Sequence, residues 1–294
     1  MIGAPYCQMP DLLLKKPKID MPLGAIDCHA HICGPEIRFP YSEKRIYTPH
    51  DALLPEYLKM LGFLGVDRAV LVQPSIYDVD NRALLDALKT DSTNLRGVAV
   101  VKEGITEREI EELHYAGVRG IRCNIVDLAE AKGILPLPSL KKMAHKIAPF
   151  GWHIELLMHA NEFPDISQSF KDFPVEIVLG HFGYQPCGMG INTAGFQGLL
   201  SLMREGRAWV KFTGPYRISS SANFPYSDVN EFAHAIVMNS PRQIVWGTDW
   251  PHVMVKNAMP NDADLCDLLQ DWVEDSALLK AVLVKNPERL YDFH

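Results

Sequence analysis

The chain has 294 residues, 47% of them hydrophobic and 22% charged, with a formal net charge of −7. Those proportions supply a large apolar core and exclude a disordered chain, while the acidic balance, without any lysine–arginine run, argues against nucleic acid as a partner. No apolar run approaches the ~20 residues of a membrane span, so no membrane partner is expected.

Residues 1–22 read as an irregular N-terminal arm, because Leu12-Leu13-Leu14 is broken at once by Lys15-Lys16-Pro17-Lys18, unlike the apolar stretch of a signal peptide. Residues 23–294 read as a single α/β domain. Its predicted strands, in chain order, are Gly24–His29, Arg68–Gln73, Arg96–Val101, Val118–Cys123, Trp152–Met158, Glu176–His181, Ala208–Thr213 and Gln243–Thr248. Amphipathic stretches fall between them at Ala52–Leu64, Asn81–Thr90, Glu107–Ala116, Ser139–Ala148, Phe196–Arg204 and Val229–Met238. This alternation predicts a (β/α)8 TIM barrel rather than an open sheet. No Gly-x-Gly-x-x-Gly follows the first strand, which removes support for a dinucleotide fold. Two long segments, Cys33–Asp51 and Gly214–Asp228, follow strands one and seven and are expected to wall a pocket at the face where barrel enzymes build their sites. The six cysteines (Cys7, Cys28, Cys33, Cys123, Cys187, Cys266) form no paired motif, so a reducing, cytoplasmic setting is expected.

The chemistry concentrates at strand ends. In Asp27-Cys28-His29-Ala30-His31 two imidazoles stand two residues apart, and strand alternation aims both to one side and Cys28 to the other. His181 closes the sixth apolar run and Asp249 the eighth, so His29, His31, His181 and Asp249 meet at one rim if the barrel forms. The competing reading makes His181 and Asp249 caps of following helices, with Pro251 after the aspartate. Arg122 ends strand four and Arg217 lies in the loop after strand seven; either guanidinium can grip a carboxylate with paired hydrogen bonds. Arg119, three residues earlier, takes the opposite face from Arg122. Ser75 and Tyr47 supply hydroxyls near the same rim. Lys211 and His159 stay outside the core set, and Trp246, Trp250 and Phe182 read as packing. No Gly-x-Ser-x-Gly elbow supports a serine hydrolase.

These residues give the chain a resemblance. Gly24-Ala25-Ile26-Asp27-Cys28-His29-Ala30-His31, Gly117-Val118-Arg119-Gly120-Ile121-Arg122-Cys123-Asn124, Leu179-Gly180-His181-Phe182-Gly183 and Trp246-Gly247-Thr248-Asp249-Trp250-Pro251-His252 resemble the amidohydrolase superfamily. The likeness covers nearly all of residues 22–292 and is to the amidohydrolase 2 branch, which includes pyrone dicarboxylate and sulfomuconolactone hydrolases and sugar-lactone enzymes. It implies a distorted TIM barrel that hydrolyses a small anionic lactone to an open-chain carboxylate during catabolism of aromatic compounds. It further implies that Asp249 is the general base, that His29, His31 and His181 polarise the carbonyl, and that Tyr47, Ser75, Arg122 and Arg217 bind substrate. If a metal is bound, His29, His31, His181 and Asp249 are its ligands, with Zn²⁺ or Mn²⁺ suited to the set. An enol-type leaving group needs less Lewis-acid help, so no cofactor is the first expectation.

The chain also departs from the pyrone dicarboxylate enzymes. It reads Ile125-Val126-Asp127-Leu128 where they carry a further arginine, Leu157 where they carry tyrosine, and Tyr184 where they carry arginine. The segments Phe212-Thr213-Gly214-Pro215-Tyr216 and Pro225-Tyr226-Ser227-Asp228-Val229 resemble sugar-lactone isomerases, so a sugar-lactone hydrolase or isomerase is the alternative, followed by a metal-dependent decarboxylase. Retention of His29, His31 and Asp249 favours hydrolysis. A homo-oligomer stays open at this stage.

Overall fold

All eight expected strands form: β1 (Ile26–Ala30), β2 (Arg68–Val72), β3 (Leu95–Ala99), β4 (Val118–Asn124), β5 (His153–Leu157), β6 (Ile177–Leu179), β7 (Ala208–Phe212) and β8 (Ile244–Trp246). The computed structural model describes residues 4–126 and 134–294. Each strand pairs in parallel with the next, in sequence order from β1 to β8, which with the intervening helices makes a TIM barrel.

The helices between strands are α1 (Leu54–Leu64), α2 (Arg82–Leu88), α3 (Glu107–Tyr115), α4 (Leu137–Ile147), α5 (Ile166–Phe170), α6 (Ala194–Arg204) and α7 (Asn230–Asn239). Their ends follow local chemistry. Thr106 and Glu109 form a reciprocal capping box at the start of α3, and Gly65, at φ 77°, ends α1 in the left-handed conformation that glycine adopts without strain. After β8 come helices that periodicity does not reveal, α8 (Asp262–Asp267), α9 (Leu269–Trp272), α10 (Ser276–Lys280) and α11 (Asn286–Tyr291), the last two joined by a π-helical stretch at Ala281–Lys285.

Barrel closure is where the sheet departs from regularity. In place of a full β8–β1 ladder, Asp249 N–H donates to His29 O and His31 N–H to Trp250 O, both at 2.8 Å. Below them the Asp27 carboxylate fills the gap. Its Oδ1 accepts from the His29 and Thr248 backbone N–H groups, each at 3.0 Å, and its Oδ2 from Thr248 Oγ1 at 2.6 Å and Tyr57 OH at 2.8 Å. Gly247 permits this approach, since a Cβ there would stand 2.6 Å from His29 N. Complete burial pushes the Asp27 carboxyl up to about 6, against the pull of those four donors. Asp27→Ala strands them in the interior. A stability loss on the order of 3–5 kcal/mol is expected in denaturant unfolding, and a loss below about 1 kcal/mol would remove Asp27 from the closure.

The barrel interior is packed, with Ile26, Cys28, Val70, Val98, Val178, Trp209 and Val245 in one cluster that Leu290, Tyr291 and Phe293 of the chain's end complete. Arg96 lies over the Phe293 ring at 4.6 Å, which places this plug at the N-terminal ends of the strands. Cys28 is core, but not on the face that simple alternation assigns to it. The β1–β2 register slips between Asp27 and Ala30, and this bulge turns both Cys28 and His29 toward the interior. Arg119 does take the outer face, where it pairs with Asp292 at 3.1 Å. Trp246, Trp250 and Phe182 are buried packing residues, Phe182 stacking on Phe212.

Candidate active site

The C-terminal ends of β1, β6 and β8 bring the four expected residues together. His29 Nε2 and His31 Nε2 stand 3.6 and 3.9 Å from Asp249 Oδ1, and His181 Nδ1 stands 4.0 Å from Asp249 Oδ2. His181 and Asp249 adopt positive φ values of 50° and 66°, which L-residues rarely take and which cluster at functional sites. Neither is explained as the cap of a long helix. Asp249 leads into an irregular loop, and the next helix, α8, is capped by Asn261.

The two oxygens of Asp249 have different surroundings. Oδ2 accepts from Tyr216 OH at 2.6 Å and from Arg217 Nε at 2.7 Å, whereas Oδ1 and the facing His29 Nε2 are buried without a hydrogen-bond partner among the described residues. Gly214, at φ 52°, makes room for this clamp, because a Cβ there would lie 2.8 Å from Asp249 Oδ2. Behind Tyr216, His252 Nδ1 meets its hydroxyl at 2.9 Å and His252 Nε2 meets Asp262 Oδ1 at 3.0 Å.

Burial raises the Asp249 carboxyl, but the Arg217 guanidinium above all outweighs it and holds the group well below the usual carboxylate range. Burial above all holds His29, His31 and His181 below the ordinary imidazole range, so all three are neutral near neutrality. Beneath them lies a pair outside the expected set, Glu155 of β5 and Lys211 of β7, joined at 2.6 Å and fully buried. Burial raises the Glu155 carboxyl, yet Lys211 with its neighbours holds it ionised, well below its ordinary value.

Above the site opens a cavity of about 510 Å³, lined by His31, Tyr47, Ser75, Arg122, His181 and Arg217 from the expected set. His29 and Asp249 are wholly buried behind that lining. Tyr47 and Ser75 both face the cavity, and Arg122 Nη1 donates to Gln73 O at 3.1 Å. Arg217 faces both ways, lining the cavity while its Nε holds Asp249 and its Nη2 donates to Val253 O. Both long loops wall the cavity as expected, through Tyr47 from the first and Tyr216, Ser219 and Tyr226 from the second. Leu157, Tyr184 and His159 line it too; Asp127 and Leu128 lie outside the described residues.

Sequence reasoning missed Tyr216, His252, Glu155 and the segment Val253–Ala258, which also lines the cavity. A carboxylate inside the apolar run of β5 was a usable signal for Glu155. Among the described residues the group spaced to hold a metal ion is His29, His31 and Asp249, whose ligand atoms all lie within 4.8 Å of one another; His181, expected as a fourth ligand, is not part of it. No helix among the described residues is long and apolar enough to cross a membrane.

The chain is similar to known proteins over nearly all of its length. The family model described as "Amidohydrolase" matches residues 26–293. The 2-pyrone-4,6-dicarboxylate hydrolase of Comamonas testosteroni is 36% identical over 284 residues, covering 94% of this chain and 92% of that protein. The 4-sulfomuconolactone hydrolase of Rhizobium radiobacter is 34% identical over 291 residues, covering 98% and 97%. Among solved structures, an apo protein from Agrobacterium tumefaciens superposes with a TM-score of 0.84 at 28% identity, covering 95% of this chain and 99% of its own.

Proposed function

The chain belongs to the amidohydrolase family, and from that premise we propose that it hydrolyses a small anionic lactone, of the sulfomuconolactone or pyrone/muconolactone type, to an open-chain carboxylate. One observation carries the reading. Tyr216 and Arg217 hold Asp249 Oδ2, leaving Oδ1 as an ionised oxygen with no hydrogen-bond partner among the described residues, turned to His29 and His31.

In this mechanism Asp249 Oδ1 accepts a proton from water as its oxygen attacks the lactone carbonyl. His31 assists by accepting the water's other hydrogen bond through Nε2, because its Nδ1–H donates to Val72 O at 2.8 Å. The carbonyl oxygen, becoming an oxyanion, is stabilised by hydrogen bonds from His29 and His181. The ring C–O bond then breaks, and the leaving oxygen recovers the proton from Asp249. Tyr47, Ser75 and Arg122 hold the substrate's anionic and ring oxygens, and Arg217 divides its guanidinium between Asp249 and the cavity.

The donor set does not fit a resident metal. Its one carboxylate is already neutralised by the Arg217 guanidinium, and the Lys211 ammonium stands 3.2 Å from His29 Nδ1. The proposed steps are accordingly written without one. The test is a panel of sulfolactone, muconolactone, pyrone and aldonolactone substrates followed by acid release, before and after prolonged treatment with a strong chelator. Turnover of an anionic lactone that survives chelation and does not rise with Zn²⁺ or Mn²⁺ is expected. Preference for an aldonolactone overturns the substrate class; loss on chelation with restoration by either ion overturns the metal-free reading.

A further inference from the structure

Glu155 and Lys211 have no part in the steps above, and a buried ion pair is seldom kept for stability, since packed apolar residues of the same volume hold a core at least as well. What they touch suggests another use. Lys211 Nζ lies 2.6 Å from Glu155 Oε2, 2.8 Å from Cys28 O and 3.2 Å from His29 Nδ1. An ammonium carries three N–H bonds and no lone pair, and these three acceptors use all of them. His29 Nδ1 therefore accepts. A neutral imidazole whose Nδ1 is an acceptor carries its proton on Nε2, the atom turned toward Asp249 Oδ1.

The opposite tautomer would have Nδ1–H donate to Glu155 Oε1 at 3.4 Å. It would also press that N–H against the ammonium and leave the third lysine proton without an acceptor. His31, two residues on, is fixed the other way, its Nδ1–H given to Val72 O and its Nε2 left as an acceptor. The two histidines thus point chemically opposite groups at one place, a donor for the carbonyl and an acceptor for water.

We propose that the Glu155–Lys211 pair is a positioning device that locks His29 as its Nε2–H tautomer, making it a hydrogen-bond donor to the substrate carbonyl. Glu155 holds the ammonium in place and Lys211 sets the ring. The identity of the acceptor rests on the lactone reading, whereas the tautomer does not depend on any substrate.

Long-range ¹H–¹⁵N correlation of the labelled wild-type protein reads the tautomer directly, with His29→Gln identifying the signals. His29 is expected to show a protonated Nε2 and a bare Nδ1, and His31 the reverse. The double variant Lys211→Met/Glu155→Gln removes both charges together, so neither is left alone in the interior. There His29 is expected to lose its single tautomer while kcat falls about tenfold or more and KM changes little. Lys211→Gln/Glu155→Gln, which restores a neutral N–H donor, is expected to recover the Nε2–H signal and part of kcat. A wild-type His29 protonated at Nδ1 overturns the lock, as does a folded double variant that keeps both the Nε2–H tautomer and full turnover. If a variant fails to fold, the wild-type spectrum still decides the tautomer. Nε2–H in a protein that hydrolyses no lactone of the panel would sink the functional reading and leave the lock standing.

Discussion

Asp249→Asn is expected to lower kcat by ~10²–10⁴ with little change in KM or in fold, because the amide keeps the shape of the carboxylate and loses only its capacity to take a proton. Several features make this the most damaging conservative change in the molecule. Oδ1 is an ionised oxygen without a hydrogen-bond partner among the described residues, beside two neutral imidazoles, while Glu155 is committed to Lys211 and Asp262 to His252. The pH dependence follows with a definite sign. A base must be deprotonated to act, and Arg217 holds this one well below the usual carboxylate range against the opposing effect of burial. The acid limb of kcat/KM due to Asp249 is therefore displaced downward, so protonation of Asp249 should contribute no loss of activity as pH falls from 7 to about 5. A variant keeping more than about a third of wild-type turnover, a change far smaller than general-base loss, would take Asp249 out of the mechanism.

The repeating pattern of apolar runs was sufficient to foresee all eight strands, because a parallel barrel strand is buried on both faces and reads as an unbroken aliphatic stretch such as Ile177-Val178-Leu179. The strand-end residues were legible for the same reason, since polar groups that interrupt such runs stand out. Helices α5, α8 and α9 did not, being too short to show a period, and between α10 and α11 a π-helical stretch at Ala281–Lys285 interrupts the 3.6-residue repeat. Long-range pairing was invisible as well. Nothing local to Arg217 indicates that its guanidinium is given to Asp249, 32 residues away, and nothing in Asp27-Cys28-His29 announces the bulge that turns both Cys28 and His29 inward. Glu155 and Lys211 are 56 residues apart, and either alone reads as an anomaly in an apolar strand; only their contact under His29 gives them a meaning.

That same pairing of Arg217 with Asp249 decides how substrate charge should be tested. Two guanidinium forks were expected for the substrate, yet one of them already neutralises Asp249, the proposed base, so loss of Arg122 is the change expected to isolate anion recognition. Arg122 is buried beside the cavity, anchored by Nη1 to Gln73 O, with its Nε 4.0 Å from Glu155 Oε1. A substrate carboxylate or sulfonate brought into this depth without its partner is strongly disfavoured, and removing one member of a buried pair costs ~3–5 kcal/mol, or roughly a thousandfold in binding. Arg122→Met should accordingly lower kcat/KM for anionic lactones by about that factor while neutral ester analogues keep most of theirs. Arg217→Met should behave differently. It frees Asp249 from its neutralising cation and from one of the two bonds on Oδ2, so it is expected to slow charged and neutral lactones alike and to shift the acid limb upward. Measuring both variants on one charged lactone and its neutral ester separates recognition from activation. Equal penalties on the two substrates for Arg122→Met, or a loss confined to the charged one for Arg217→Met, would reverse these assignments.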